Sequence, residues 1–355
     1  MVDRREKERR KVQINGKSSF MVALPKKWVR ELKLQQGSEV TITKLNPTSL
    51  LVQAQAKMAQ SAGGGALLEM IPDDSLEAIL RRIVSLYVLG FSRITVETRG
   101  GLFASARKLA LKDTVRRTLI GTESIAESNS SLTIHVLLGY SDLSVEGAIK
   151  KMLLLVDSLM KDAILVLETD DPVPAESIAD RQDEVGRFER YVIRQLNLSL
   201  NQGAPPELRF ENREMLGYIL IARDLDRITH HARNLLDTIN GLKGVLPRTV
   251  VEVLVSSNKN VSDFVDEALL SLFKRDYQGA GLVIEKTKEF VNREAELIHS
   301  LEGSDSQTYY MLHLLMDSQR SIAEYARDVA EVVLDMTVER TTSKPELTAN
   351  PVPYV

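Results

Sequence analysis

Between residues 145 and 339, apolar side chains return every third or fourth position, in six blocks parted by short breaks. That spacing lines one side of an α-helix and leaves the other side polar. Leu225, Ile228, Ala232, Leu235, Leu236 and Ile239 form one such stripe. The blocks fall at 145–167, 175–200, 207–242, 247–273, 280–301 and 307–339. Pro205-Pro206, and Gly244 followed by Pro247, are the clearest breaks, because proline and glycine interrupt the helical ladder. Amphipathic helices joined by short loops pack antiparallel against one another. More than half of the chain is therefore predicted to be a helical bundle.

The six blocks read as three plus three. Ile228-x-His230-His231-Ala232-Arg233-Asn234-Leu235 parallels Ile322-x-Glu324-Tyr325-Ala326-Arg327-Asp328-Val329 at an offset of 94. Asp180, Glu184, Glu189 and Ile193 parallel Glu285, Glu289, Glu294 and Ile298 at an offset of 105. A longer loop before the third helix of the first copy accounts for the difference in offset. A duplicated unit of roughly a hundred residues is the economical explanation; two coincidentally similar amphipathic helices are the alternative.

Upstream, residues 73–139 mix the two periodicities. Positions 73–89 read as a helix with Asp73, Asp74 and Ser75 as caps, and Ile94, Val96 and Thr98 alternate as a strand. Positions 104–119 read as a basic amphipathic helix carrying Arg107, Lys108, Lys112, Arg116 and Arg117, a solvated face on an α/β layer, with contact to DNA as the alternative. Residues 122–127 and 132–138 form a hairpin across Asn129-Ser130. Before this unit, Ser61-Ala62-Gly63-Gly64-Gly65 reads as a flexible joint. The triple glycine has no Lys-Ser/Thr after it, so it is not a phosphate loop.

The N-terminal segment is different in kind. Val12 and Ile14 alternate with polar neighbours, Asn15-Gly16 is a tight-turn dipeptide, and Phe20 to Leu24 supply a return strand. Pro25 suits the first turn of a helix over 26–34, Gly37 ends it, and Val40, Ile42 and Leu45 open another strand. Residues 1–58 hold 13 Lys and Arg against 5 Asp and Glu, whereas the rest of the chain holds 33 against 44. A basic arm on an acidic body is the electrostatic footprint of a polyanion binder. Its cations continue into the patterned stretch (Lys17, Lys26, Lys27 and Arg30), which a solvated tail would not require.

Apolar content of 43% and charged content of 27% suit a globular chain, and 355 residues exceed one ordinary core. No apolar run approaches the ~18 residues of a membrane span, and a charged start argues against a secretory leader. With no cysteine there is no disulfide, thiolate zinc site or cysteine nucleophile. These features favour the cytoplasm. No nucleophile elbow or catalytic triad order is found, so no enzyme is predicted. His135, His231, His299 and His313 have no partner spacing and read as packing or surface histidines.

Two stretches resemble known families. Gly16-Lys17-Ser18-Ser19, Val22-Ala23-Leu24-Pro25-Lys26-Lys27-Trp28, Leu34 and Gly37 resemble the AbrB/SpoVT swapped-hairpin DNA-binding domains. The resemblance implies that two chains exchange hairpins in an obligate homodimer laid on double-stranded DNA. Arg9, Arg10, Lys11, Lys17, Ser18, Ser19, Lys26, Lys27 and Arg30 are the candidate DNA-binding residues. The segment 222–235, Ala-Arg-Asp-Leu-Asp-Arg-Ile-Thr-His-His-Ala-Arg-Asn-Leu, looks like the signature of PhoU proteins. Residues 322–331 look like its archaeal form, and Asp183, Glu184, Arg187, Arg194 and Gln195 fit the helix before it. PhoU proteins are paired three-helix bundles that regulate phosphate uptake. Their signature carries two acidic residues four apart, on one helical face, that bind metal. This sequence has Asp226 and His230 there in the first copy, a competent pair for a divalent or iron ion. The second copy has Arg320 and Glu324, and a guanidinium repels a cation, so a two-site metal bundle is not expected. Without metal, Asp226 would pair with Arg223 or Arg227. Asp180 with Glu184 and Glu285 with Glu289 are equally ambiguous acidic pairs.

The fold class expected is therefore mainly α. A DNA-binding hairpin domain spans 1–57, a linker 58–72 and a small α/β subdomain 73–140. Three-helix repeats span 144–242 and 246–340, and a tail 341–355. The function expected is transcription regulation of phosphate uptake. The alternative is an adaptor docking on phosphate transporter components or a sensor kinase, with the hairpin serving dimerisation alone.

Overall fold

The computed structural model describes residues 8–15, 19–32, 34–46, 49–54, 64–71, 74–99, 101–137, 143–169, 171–200, 210–242, 246–300 and 306–340. The chain divides into two compact units, 1–61 and 62–355. In the first, β1 (Val12–Asn15) pairs antiparallel with β2 (Ser19–Val22), setting Val12 opposite Val22 and Ile14 opposite Phe20. Helix α1 (Lys26–Glu31) follows Pro25, whose φ of −60° is already that of a helix entry. It stops at Glu31, shorter than the predicted 26–34. A second antiparallel hairpin joins β3 (Val40–Asn46) to β4 (Ser49–Ala54). The turn at Gly16, Lys17 and Ser18 lies outside the described residues.

The second unit opens on β5 (Gly65–Met70), in a stretch expected to be linker. The glycines hid a strand in which Leu68 and Met70 alternate into a core while Leu67 and Glu69 face out. After it come α2 (Leu76–Val88), β6 (Arg93–Thr98), α3 (Ser105–Thr118), β7 (Thr122–Glu127) and β8 (Ser131–Val136). The sheet order is β5-β6-β8-β7, with β5 parallel to β6 and β8 antiparallel to both its neighbours. The parallel pair needs a crossover, which α2 supplies. One sheet face, built from Leu68, Ile94, Val96, Leu132 and Ile134, buries against Ile79, Ile83, Leu111 and Val115 of the two helices. Ser75 caps α2, its Oγ accepting from Ala78 N at 3.1 Å.

Three cations of the basic helix α3 find partners inside this unit. Lys108 is buried and donates to the Ser128 carbonyl; Lys112 pairs with Glu127, and Arg116 with Glu123 at 3.1 Å. Sequence spacing places these cations on a helix but not opposite the carboxylates of β7.

Six long helices follow: α4 (Val145–Thr169), α5 (Ala175–Ser199), α6 (Asn212–Gly241), α7 (Arg248–Lys274), α8 (Tyr277–Ser300) and α9 (Ser306–Thr337). A reciprocal capping box between Glu211 and Glu214 starts α6, later than the predicted 207. Helices α4, α5 and α6 pack mutually, as do α7, α8 and α9; α6 against α9 and α4 against α7 join the two bundles. The chain is thus mainly α, two repeated three-helix bundles behind a small α/β layer. Buried positions repeat at the offset read from sequence: Ile228 and Ile322, Ala232 and Ala326, Leu235 and Val329. An ion pair repeats as well. Arg181 of α5 meets Asp162 of α4 at 2.5 Å, and 105 residues on, Lys286 of α8 meets Glu267 of α7 at 2.7 Å.

Helix α5 also carries the α/β layer. Arg194, 4% exposed, lies over the Tyr87 ring at 4.7 Å and donates to the carbonyls of Tyr87 and Phe91. Asn197 donates to Val88 O at 2.8 Å, and Arg190 to Thr118 O at 3.4 Å. Gly90, at φ +99°, lets the chain leave α2 here; a Cβ would stand 2.6 Å from Leu198 Cδ2.

Candidate nucleic-acid interface and helical-body positions

In the first unit the strand pairing puts Val12, Ile14, Phe20 and Val22 on one face of the β1–β2 hairpin. All four are exposed, Ile14 and Phe20 to about three quarters. The β3–β4 hairpin likewise exposes Val40, Ile42, Leu50 and Val52. Among the described residues of this unit, Pro25 alone is buried. Two-stranded hairpins are marginal in water without a packed face, so these apolar surfaces need a cover.

The predicted DNA-binding residues divide by position. Arg9, Arg10 and Lys11 precede β1 and are exposed, with Arg10 paired to Glu8. Lys26, Lys27 and Arg30 are exposed on α1. No acidic residue lies in the first turn of α1, where anions are otherwise favoured, so this turn stays cationic. Ser19 opens β2, while Lys17 and Ser18 lie outside the described residues.

In the helical body, Asp226 and His230 sit one turn apart on α6. Burial pushes the Asp226 carboxyl up, against the pull of Arg190, His230, Arg223 and Arg227. Glu189 of α5 is raised too, first by burial and then by the charge of Asp226. The His230 ring faces amides on both sides, Gln182 at 3.5 Å and Asn234 at 3.3 Å. Among the described residues no three His, Asp or Glu side chains gather as a metal-ligand set. A cation beside Asp226 would have two donors and three guanidiniums for neighbours, so this donor set does not fit a resident metal. In the second copy Arg320 and Glu324 bond each other at 3.1 Å. His231 is a packing histidine, its ring 5.8 Å from that of Tyr325.

Asp224 is a further position, not singled out among the candidates read from the sequence. This side chain is 6% exposed, at the seam between α6 and α9. Its carboxyl is pushed up to about 6, first by burial and then by Asp328 across the seam, with Arg227 pulling the other way. The signal was present as an acid on the apolar stripe between Ile221 and Leu225, but the facing Asp328 depends on the register of α6 against α9.

A family model for the PhoU domain matches residues 149–239. No curated protein matches the chain. The crystal structure of PhoU from Pseudomonas aeruginosa is similar over 56% of this chain and 96% of its own, at 24% identity and a TM-score of 0.46. No helix among the described residues is long and apolar enough to cross a membrane. The family match falls on α4, α5 and α6, so the first three-helix repeat is the part of the chain that matches the PhoU domain.

Proposed function

We propose that this chain is a dimeric DNA-binding regulator of phosphate homeostasis. The observation that carries the reading is the first unit's pair of uncovered apolar hairpin faces beside a row of exposed cations. A second copy of the same chain is the cover that satisfies both, since exchanged hairpins bury Ile14 and Phe20 and double the cationic rim. Arg9, Arg10, Lys11, Lys26, Lys27 and Arg30 then meet backbone phosphates, with Lys17, Ser18 and Ser19 as further contacts. The link to phosphate rests on the PhoU-domain match in the helical body. The body regulates the DNA-binding unit; no catalytic step is assigned to it.

Phosphate contacts release counterions, so affinity falls as salt rises. A dimer making ~8 such contacts has a log–log slope of about −7. Arg10→Ala removes one contact per protomer and weakens every duplex alike, because phosphate contacts carry no sequence information. Fluorescence anisotropy of the full chain on labelled duplexes across a salt series measures both quantities. Binding that ignores salt, or no binding to any duplex, overturns the proposal.

A further inference from the structure

Helix α5 presents Arg187, Arg190 and Arg194, spaced three and four apart, and so on one side of the helix. Two of the three have acceptors in the α/β layer: Arg190 the Thr118 carbonyl, Arg194 those of Tyr87 and Phe91. Arg187 differs. Its Nε is sealed from solvent and has no hydrogen-bond partner. None of the ion pairs among the described residues includes it. Sealing a guanidinium nitrogen without an acceptor is unfavourable, although the Arg187 side chain as a whole is only half-buried.

Arg187 lines a cavity of about 410 Å³ between α5 and the α/β layer. Arg116 and Glu123 line it too, together with Thr122 and the apolar Leu119 and Leu137. Arg116 is ion-paired to Glu123 at 3.1 Å, and both are about half exposed. The cavity therefore holds two guanidiniums against one carboxylate. A guanidinium presents a planar fork of N–H donors that matches the oxygens of phosphate. The volume exceeds that of a bare oxyanion and falls in the range of small-molecule sites.

We infer that the cavity between Arg187 and Arg116 binds a phosphate group, either inorganic phosphate or a small phosphate monoester. The phosphoryl oxygens accept from Arg187 and compete with Glu123 for Arg116. Glu123 is thus a built-in rival anion, which keeps affinity modest and places the binding step at the junction of the α/β layer and the first bundle. The inference does not depend on the DNA-binding reading.

Isothermal titration of the full chain at constant ionic strength is the test, with inorganic phosphate, glycerol 3-phosphate and neutral glycerol as the three probes. Saturable binding of one or both anions, and none of glycerol, is expected. Arg187→Gln weakens it by about tenfold or more, as loss of a charge-assisted pair requires. Glu123→Gln tightens it, because the rival anion is gone. The monoester binding more tightly than phosphate assigns the site to a phosphorylated metabolite, and the reverse order assigns it to the free ion. Neither anion saturating below ~10 mM, a weak affinity by any measure, overturns the inference. So does wild-type affinity in Arg187→Gln, or unchanged affinity in Glu123→Gln. If circular dichroism shows Arg187→Gln to be unfolded, Arg116→Gln takes its place with the same expectation.

Discussion

Single side chains in the helical body are tuned by what crosses the α6–α9 seam. Asp224 has its folded pKa raised to about 6 from an ordinary 3.8. A raised acid binds its proton more tightly in the folded state. Its neutral form is free of penalty below the ordinary value, and stability is lost as pH climbs from there through the folded value. Asp224→Asn removes that loss. The variant is expected to be more stable than the parent at pH 7 by about 1 kcal/mol, since water still screens part of the charge. The gain should shrink through the acid range and vanish near pH 4, below which both chains are neutral at this position. Urea midpoints measured across that range give the answer, and a gain that persists at pH 4 removes Asp224 protonation as its cause. Among the described residues Arg227 is the cation that pulls this carboxyl down, and its 3.5 Å bond is too long and too exposed to reverse the sign.

At the scale of elements, the joint between α2 and α5 concentrates the coupling of the two cores. The bundle core and the α/β core are separate clusters, and Arg194 is a buried polar link between them. Arg194→Met keeps an apolar stem against Tyr87 but strips the donor from the carbonyls of Tyr87 and Phe91. The loss expected is about 2–4 kcal/mol, the range for removing a charged donor from buried acceptors. It should appear as a lower urea midpoint with an unchanged slope; a slope that also falls means that the α/β layer has separated and melts on its own. Why such joints escape a reading of sequence is visible here. Helix positions follow from local spacing, so α4 through α9 fall close to where the apolar stripes put them, and the offset of 105 even locates the matched ion pairs of Arg181 and Lys286. Strand β5 was hidden because two buried residues after a glycine run give too short an alternation to register. The α3 face is solvated at Arg116 and Arg117, as its spacing predicts, but the pairing of Lys112 with Glu127 and of Arg116 with Glu123 depends on a strand whose place beside α3 is a tertiary fact. Arg187, Arg190 and Arg194 were spaced legibly enough, but nothing local says that two of them meet carbonyls and the third a cavity.

For the whole molecule the governing question is what covers the first hairpin. Ile14 and Phe20 face each other across β1 and β2 and are about three quarters exposed. Fully burying side chains of this size is worth about 2 kcal/mol each, and a symmetric pair of chains doubles the count. If a second copy supplies the cover, Ile14→Ser and Phe20→Ser each remove apolar area from both halves of the interface at once. Each single change should then raise the dimer dissociation constant by at least a factor of ten, and the double change should leave a monomer in sedimentation velocity. Duplex affinity should fall with dimer content, because half a cationic rim keeps about half the phosphate contacts and the salt slope scales with their number. The helical body, with its own core in α4 to α9, should keep its thermal midpoint in the same variants. A double variant that stays dimeric moves the interface elsewhere on the chain. One that turns monomeric yet binds duplex with the full salt slope detaches DNA recognition from the paired hairpins.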